Sequence, residues 1–421
     1  MGARATRALH WARRHAVGLA SIALALAVVG PLLTPGFVLA YDMVFVPSPH
    51  FSRQLLGISR LLPRAVPTEL IVAAASHVLT GQVTQKLILF GILGGASLGA
   101  ARLVPSSRPA ARIGGGLLYA WNPMTFERLL LGQWVLLAGY AVLPWVASAA
   151  LAFRRDEPGS GLRLTLWLGA AAALGPYCAI FAVPVAAAIA LAPRWNRGGP
   201  IRKAGLLICA AVAVNLPWLG PALLHPASPG AATLGLQLFR ARADSPVGTL
   251  GSLVSLGGVW RTDLAPPGRD TLGWVPAFAL MAVLIVWGWR ALGTRWPKGA
   301  RAGLLALAGL GLALAVAPVV PGARDAASWL DRVLPGGGLI RDTQKFVVPL
   351  ALAEAVGFGL GVDRLLEVIT RSKLESRALV VVAALAAIAP IALAPTLAWG
   401  AGGRLRPSRY PPSWAAADRA M

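Results

Sequence analysis

The chain has 421 residues, 57% of them hydrophobic and only 13% charged, with a formal net charge of +23. Soluble domains carry about 25% charged residues. Half that share, kept up along the whole length with a mean hydropathy of +0.66, excludes an ordinary soluble enzyme, a disordered chain and a fibrous one. What remains is an all-α, polytopic transmembrane helical bundle, because a hydrocarbon span needs about 20 apolar residues and many such runs are present.

Arg13-Arg14-His15 precede an apolar run at 16–40. The run is longer than a signal-peptide core of about 7–15 residues and predicts a first membrane helix. Further runs lie at 85–104, 113–121, 134–153, 164–192, 204–224, 273–291, 303–320, 346–362 and 378–399. The 164–192 run holds Gly175-Pro176 at its centre and splits into two helices. A shorter run at 69–80 reads as interfacial or re-entrant. The total is about 11 spans.

Orientation follows from the Lys and Arg distribution. The short segments 1–15, 102–112, 154–163, 194–203, 290–301 and 364–377 hold 22 of the 39 basic residues. The positive-inside rule puts them in the cytoplasm. That predicts a multi-pass protein of the plasma (inner) membrane, with a cytoplasmic N-terminus and an extracytoplasmic C-terminus. Residues 1–399 form one transmembrane domain whose long outer loops are 41–68, 122–133, 225–272 and 321–345. Residues 400–421 form an outer tail that reads as the start of a further outer region. Trp121, Trp134, Trp260, Trp274 and Trp414 sit at run ends, as interface belts do. Basic clusters between apolar runs, without interleaved aromatics, exclude a nucleic-acid partner. Cys178 and Cys209 stand in apolar segments without a Cys-x-x-Cys or Cys/His cluster. No disulfide framework or zinc site is predicted, and both read as buried small hydrophobes.

Three outer segments carry the candidate chemistry. The first begins Tyr41-Asp42-Met43-Val44-Phe45-Val46-Pro47. Asp42 is a lone carboxylate beside the membrane surface, and desolvation on one side would make it a better general base for an acceptor hydroxyl. The competing structural reading is a solvated helix-end Asp, or one paired with Arg53. The second is Trp121-Asn122-Pro123-Met124-Thr125-Phe126-Glu127-Arg128, followed by Gly132-Gln133-Trp134. Glu127, Arg128 and Gln133 form either the polar wall of a substrate cavity or, for the first two, an ion pair pinning helices. The third is Arg341-Asp342-Thr343-Gln344-Lys345-Phe346, before an apolar run. If that stretch is already helical, Arg341 and Lys345 share a face. Two cations beside a helix N-terminus suit a phosphate, with Asp342 in the same cavity; a snorkelling Lys is the alternative. Gly336, Gly337 and Gly338 are not followed by a phosphate-loop pattern. Glu354 falls inside the next apolar run, and His77 and His225 are lone histidines without a second ligand in view.

Taken together, these three segments resemble actinobacterial integral membrane proteins of the GT-C type, which include the arabinofuranosyl- and mannosyltransferases of the mycobacterial envelope. The resemblance implies a polyprenyl-phosphate-linked sugar donor, an envelope glycan or lipoglycan acceptor, and transfer within the bilayer's outer face. It implies an acid in the first outer loop, often one of a pair. Here Asp42 matches and Val44 stands two positions on, so a divalent cation is left open rather than assigned. Two other readings stay open: a transporter or flippase of an envelope precursor, working through Glu354, and a non-catalytic scaffold for glycan assembly.

Overall fold

A computed structural model describes residues 3–58, 65–192, 200–224, 232–293, 295–333, 342–371 and 376–414. The first half of the chain builds α1 (Ala3–Val29), α2 (Thr68–Leu79), α3 (Gly81–Leu103), α4 (Pro109–Ala120), α5 (Pro123–Leu130), α6 (Trp134–Arg154), α7 (Ser160–Ala172) and α8 (Pro176–Ala190). The second half builds α9 (Pro200–Leu224), α10 (Ala232–Leu238), α11 (Gly248–Val254), α12 (Val275–Ala291), α13 (Lys298–Val316), α14 (Pro321–Val333), α15 (Val348–Arg371) and α16 (Ser376–Ile388). Two short strands, β1 (Phe37–Val38) and β2 (Pro407–Ser408), pair antiparallel.

A helix forms in every apolar run, but the runs are not equivalent as spans. Among the described residues seven helices are long and apolar enough to cross a membrane, or eight if Ala384–Leu393 and Pro395–Gly403, bent by 77°, count as one. Helices α4, α7 and α8 have 12, 13 and 15 residues, short of the roughly 20 a hydrocarbon span requires. Proline and glycine cut them. Gly175, at φ 91, ends the α7 stretch, and Pro176 opens α8 at a position that needs no backbone donor. Two of the predicted belt tryptophans are core residues instead. Trp121 and Trp274 are buried, each donating its indole N–H to a backbone carbonyl, of Ala394 and Arg269 respectively. Cys178 is buried as expected, whereas Cys209 is exposed on the outward face of α9.

The central element is α15, which with its preceding turn (Thr343–Arg371) has 89% of its most apolar window buried, against 17% for the peripheral Ile201–Leu223. Glycine lets α12 approach it. A Cβ on Gly288 would lie 1.9 Å from the Gly357 carbonyl oxygen, and one on Gly361 2.1 Å from that of Leu284. This small-residue contact is how helices associate where lipid removes the hydrophobic drive between them.

The basic loops meet at one end of the bundle. Asp363, near the end of α15, accepts from Arg108 at 2.9 Å, Arg295 at 2.7 Å and Ser106 at 2.7 Å. Arg154 donates to the carbonyls of Ile189, Ala190 and Ala192, closing the end of α8, and Lys203 does the same for α6 at Phe153 and Arg154. Cations on C-terminal carbonyls complement the helix dipole. The opposite end carries the loops around Asp42. There Trp399 to Gly403 run through five positive φ values, a left-handed turn that directs β2 onto β1.

Gly288→Leu should lower the melting temperature of the detergent-solubilised protein, since overpacking costs about 1–3 kcal/mol or more. Gly309→Leu, with nothing within 4 Å of its Cβ position, should leave it unchanged. Equal melting of both variants would disprove the α12–α15 contact.

Candidate active site

The site begins with a short helix and a glycine. Asn122 caps α5 by accepting from the Thr125 N–H at 2.9 Å, and Pro123 occupies the first helical position. The capped helix turns Glu127 and Arg128 inward, and both have no exposure at all. Past its end Gly132 adopts φ 70, and a Cβ there would lie 1.9 Å from the Ala40 carbonyl oxygen. Only glycine allows this approach. It brings the Ala40–Met43 turn against the second segment, where the Asp42 N–H donates to the Leu131 carbonyl at 3.1 Å.

Arg128 is the hub. Its Nη1 donates to Gln133 Oε1 at 2.6 Å. It forms a bidentate ion pair with Asp342, the second contact measuring 3.0 Å. It also donates to Gln344 Oε1. Gln133 in turn donates to Asp42 Oδ2 at 3.2 Å, and Gln344 Nε2 donates to Glu127 Oε2 at 2.6 Å and to the Gly257 carbonyl at 3.1 Å. The three sequence segments therefore converge. The Glu127–Arg128 ion pair is not formed: Arg128 turns to Asp342, because adjacent helical side chains point in different directions.

Behind this hub lies a second ion pair, with no signal in the sequence. Arg269 and Asp244, exposed 2% and 0% at their side chains, are joined by two hydrogen bonds of 3.1 and 3.0 Å. Arg269 also donates to Ser255 Oγ, and the Gly258 N–H donates to Asp244, while Arg269 Nη1 has no partner. Burial opposes the charge of Asp244, but the Arg269 guanidinium outweighs it and holds the carboxyl below its usual range. Glu127 moves the other way. Burial first, and the neighbouring Asp244 charge second, push its carboxyl well above the ordinary range.

In front of the hub opens a cavity of about 390 Å³, lined by Tyr41, Asp42, Gln133, Trp134, Tyr177, Phe239, Trp260, Arg261, Asp342 and Lys345 among others. Asp42 is exposed at its rim, and Tyr41 and Val44 near it are exposed as well. Lys345 does not snorkel. It is 2% exposed and lies 4.6 Å from the Tyr177 ring centre. Arg341 lies outside the described residues, and Asp342, with ψ 89, is not helical, so the one-face spacing from 341 to 345 does not apply. A cation the sequence reading passed over, Arg261, faces the cavity instead. It stacks on Tyr41 at 4.8 Å and pairs with Asp263. Glu354 is buried in α15, and no ion pair among the described residues reaches it. His77 places its Nδ1 2.8 Å from the Ala73 carbonyl and stacks on Phe51, while His225 lies outside the described residues. Among those residues no group of three or more His, Cys, Asp or Glu could hold a metal ion.

No protein-family model and no curated protein matches the sequence. A solved structure does: the chain is similar to the cryo-electron-microscopy structure of arabinofuranosyltransferase AftD from mycobacteria, with a TM-score of 0.53 and 17% identity over 92% of this chain. The match spans 28% of that much longer chain. The likeness is one of fold, and it is to a structure of the kind that the three loop motifs resemble.

Removing one member of the buried pair should be severe. Arg269→Met leaves Asp244 unpaired, at a cost of about 3–5 kcal/mol, whereas replacing both partners with apolar residues is often near neutral. Thermal denaturation of Arg269→Met and of the double variant Arg269→Met/Asp244→Leu reads the difference. A double variant no more stable than the single one would show that the stranded charge is not the cause.

Proposed function

We propose that this protein is a membrane glycosyltransferase that moves a sugar from a polyprenyl-phosphate donor to an envelope glycan or lipoglycan acceptor at the outer face of the plasma membrane. The observation that carries the reading is one cavity holding a carboxylate at its rim, buried and half-buried cations at its wall, and aromatic rings between them. A glycosyl phosphate asks for that set. Rings suit the faces of a sugar, cations neutralise the leaving phosphate, and a carboxylate takes the acceptor's proton. The fold likeness to a membrane arabinofuranosyltransferase supports the same class.

The reaction is an inverting displacement. The acceptor hydroxyl oxygen attacks the anomeric carbon while Asp42 takes its proton, and the bond from that carbon to the phosphate oxygen breaks. The lipid phosphate leaves with both electrons of that bond, held by Lys345, Arg261 and, from the third segment, Arg341. Gln133 and Asp342 line the cavity, and Arg128 and Glu127, buried behind them, keep Asp42 in register through Gln133. With three metal-ligating side chains not gathered anywhere among the described residues, no step is assigned to a divalent cation. The cavity sits at the end of the bundle opposite the basic loops, which supports outward-facing transfer under the positive-inside rule.

A deletion strain should lose one sugar from its envelope glycan or lipoglycan profile. The native copy should restore it and Asp42→Asn should not. Lys345→Met should lower kcat for a polyprenyl-phosphate sugar in membranes at least as much as it raises KM. Full restoration by Asp42→Asn would remove the base assignment and move the weight to transport or scaffolding.

A further inference from the structure

The buried cluster behind the cavity contains an odd number of acids. Arg269 is committed to Asp244, and Arg128 to Asp342. Glu127 is the fifth charged-type residue, wholly buried, with Oε2 accepting from Gln344 and Oε1 left without a hydrogen-bond partner. Its neighbours in the charge balance are Asp244, Arg269 and Arg128; both guanidiniums are paired to other acids, and the one donor that each leaves without a partner, Arg128 Nε and Arg269 Nη1, makes no hydrogen bond to Oε1.

The direction of every hydrogen bond in the cluster is set by the arginines, which can only donate. Gln344 must turn its oxygen to Arg128 and its nitrogen to Glu127, and Gln133 its oxygen to Arg128 and its nitrogen to Asp42. Glu127 must then accept at Oε2. An ionised Glu127 would leave a bare carboxylate oxygen in a low-dielectric interior, with the Asp244 charge as a neighbour. A proton on Oε1 turns that repulsion into a hydrogen bond and removes the unmatched charge.

We propose that Glu127 is a neutral carboxylic acid that donates its one proton from Oε1 to Asp244, and that it is thereby the positioning residue for Gln344 and Arg128. The acid joins the Asp244–Arg269 pair to the hub that faces Asp42. Burial and the Asp244 charge favour the same protonation state. Glu127 touches no reacting atom. Its effect on the cavity passes through the two side chains that it orients, and it holds whether or not the glycosyltransferase reading stands.

The test is spectroscopic and uses the full chain in detergent at neutral pH. Protein grown with ¹³C-glutamate should show an infrared C=O band of a protonated carboxyl group that shifts with the label and on transfer to D₂O. In the Glu354→Gln background, which removes the other glutamate buried among the described residues without an ion pair, Glu127→Gln should abolish that band, and Glu354→Gln alone should leave it. Glu127→Gln should also melt with the native protein, because its amide can donate to Asp244 in the acid's place. Glu127→Ala, which cannot, should melt roughly 3–6 °C lower. Loss of an ionised-carboxylate band in Glu127→Gln would overturn the proposal, as would melting of that variant as low as Glu127→Ala. The labelled Glu354→Gln protein tests the assignment without altering position 127: a protonated glutamate band supports it and the absence of that band refutes it.

Discussion

Arg128 is a guanidinium with no access to water, and the cavity end of the molecule is organised by what keeps that charge there. A buried ion costs several kcal/mol unless it is paired and its donors are satisfied. Arg128 meets most of that demand through its two terminal nitrogens, Nε alone having no partner, with Gln133 five residues on, Asp342 214 residues on and Gln344 216 residues on. The loop before α15 is therefore tied to the loop before α6, and Gln133 carries the connection to Asp42. A charge that is expensive in isolation becomes the reason that three segments have one arrangement.

The molecule divides its polar groups between two ends. At one, Arg108 and Arg295 pin Asp363, and Arg154 and Lys203 close helix termini. These contacts are complete in themselves and offer little to a substrate. At the other, the ion pairs lie behind a cavity whose front carries Asp42, Arg261 and Lys345. Of these, Asp42 is exposed, Arg261 half-buried and Lys345 buried against Tyr177.

Much of the site was legible because its residues sit in apolar surroundings. A polar side chain between membrane-length runs stands out, and this led to Asp42, Glu127, Arg128, Gln133 and Lys345. Pairing was not legible. Glu127 and Arg128 are adjacent, yet their partners lie on other loops, and no local rule connects Asp244 to Arg269 or either to α5. Arg261 was missed because an Arg in a long outer loop reads as solvated, and only the fold sets it on Tyr41. The apolar runs located the helices but overcounted the spans, since α4, α7 and α8, with 12, 13 and 15 residues, are apolar without being long enough to cross a bilayer.

The β1–β2 ribbon joins opposite ends of the sequence, Phe37 to Ser408 and Val38 to Pro407, and Tyr410 adds a hydrogen bond to the Phe45 carbonyl at 2.8 Å. Arg404 reaches the Asp263 carbonyl, beside the Arg261 arm. The chain is thus fastened into a loop at the cavity mouth, its late segment acting as a hasp over its early one. Genetically, lesions at 404–410 and lesions at 37–45 belong to one class. A change near the end of the sequence would present as a fault in the Asp42 turn, and a screen that sorted mutations by linear position would assign it to a region with no chemistry of its own.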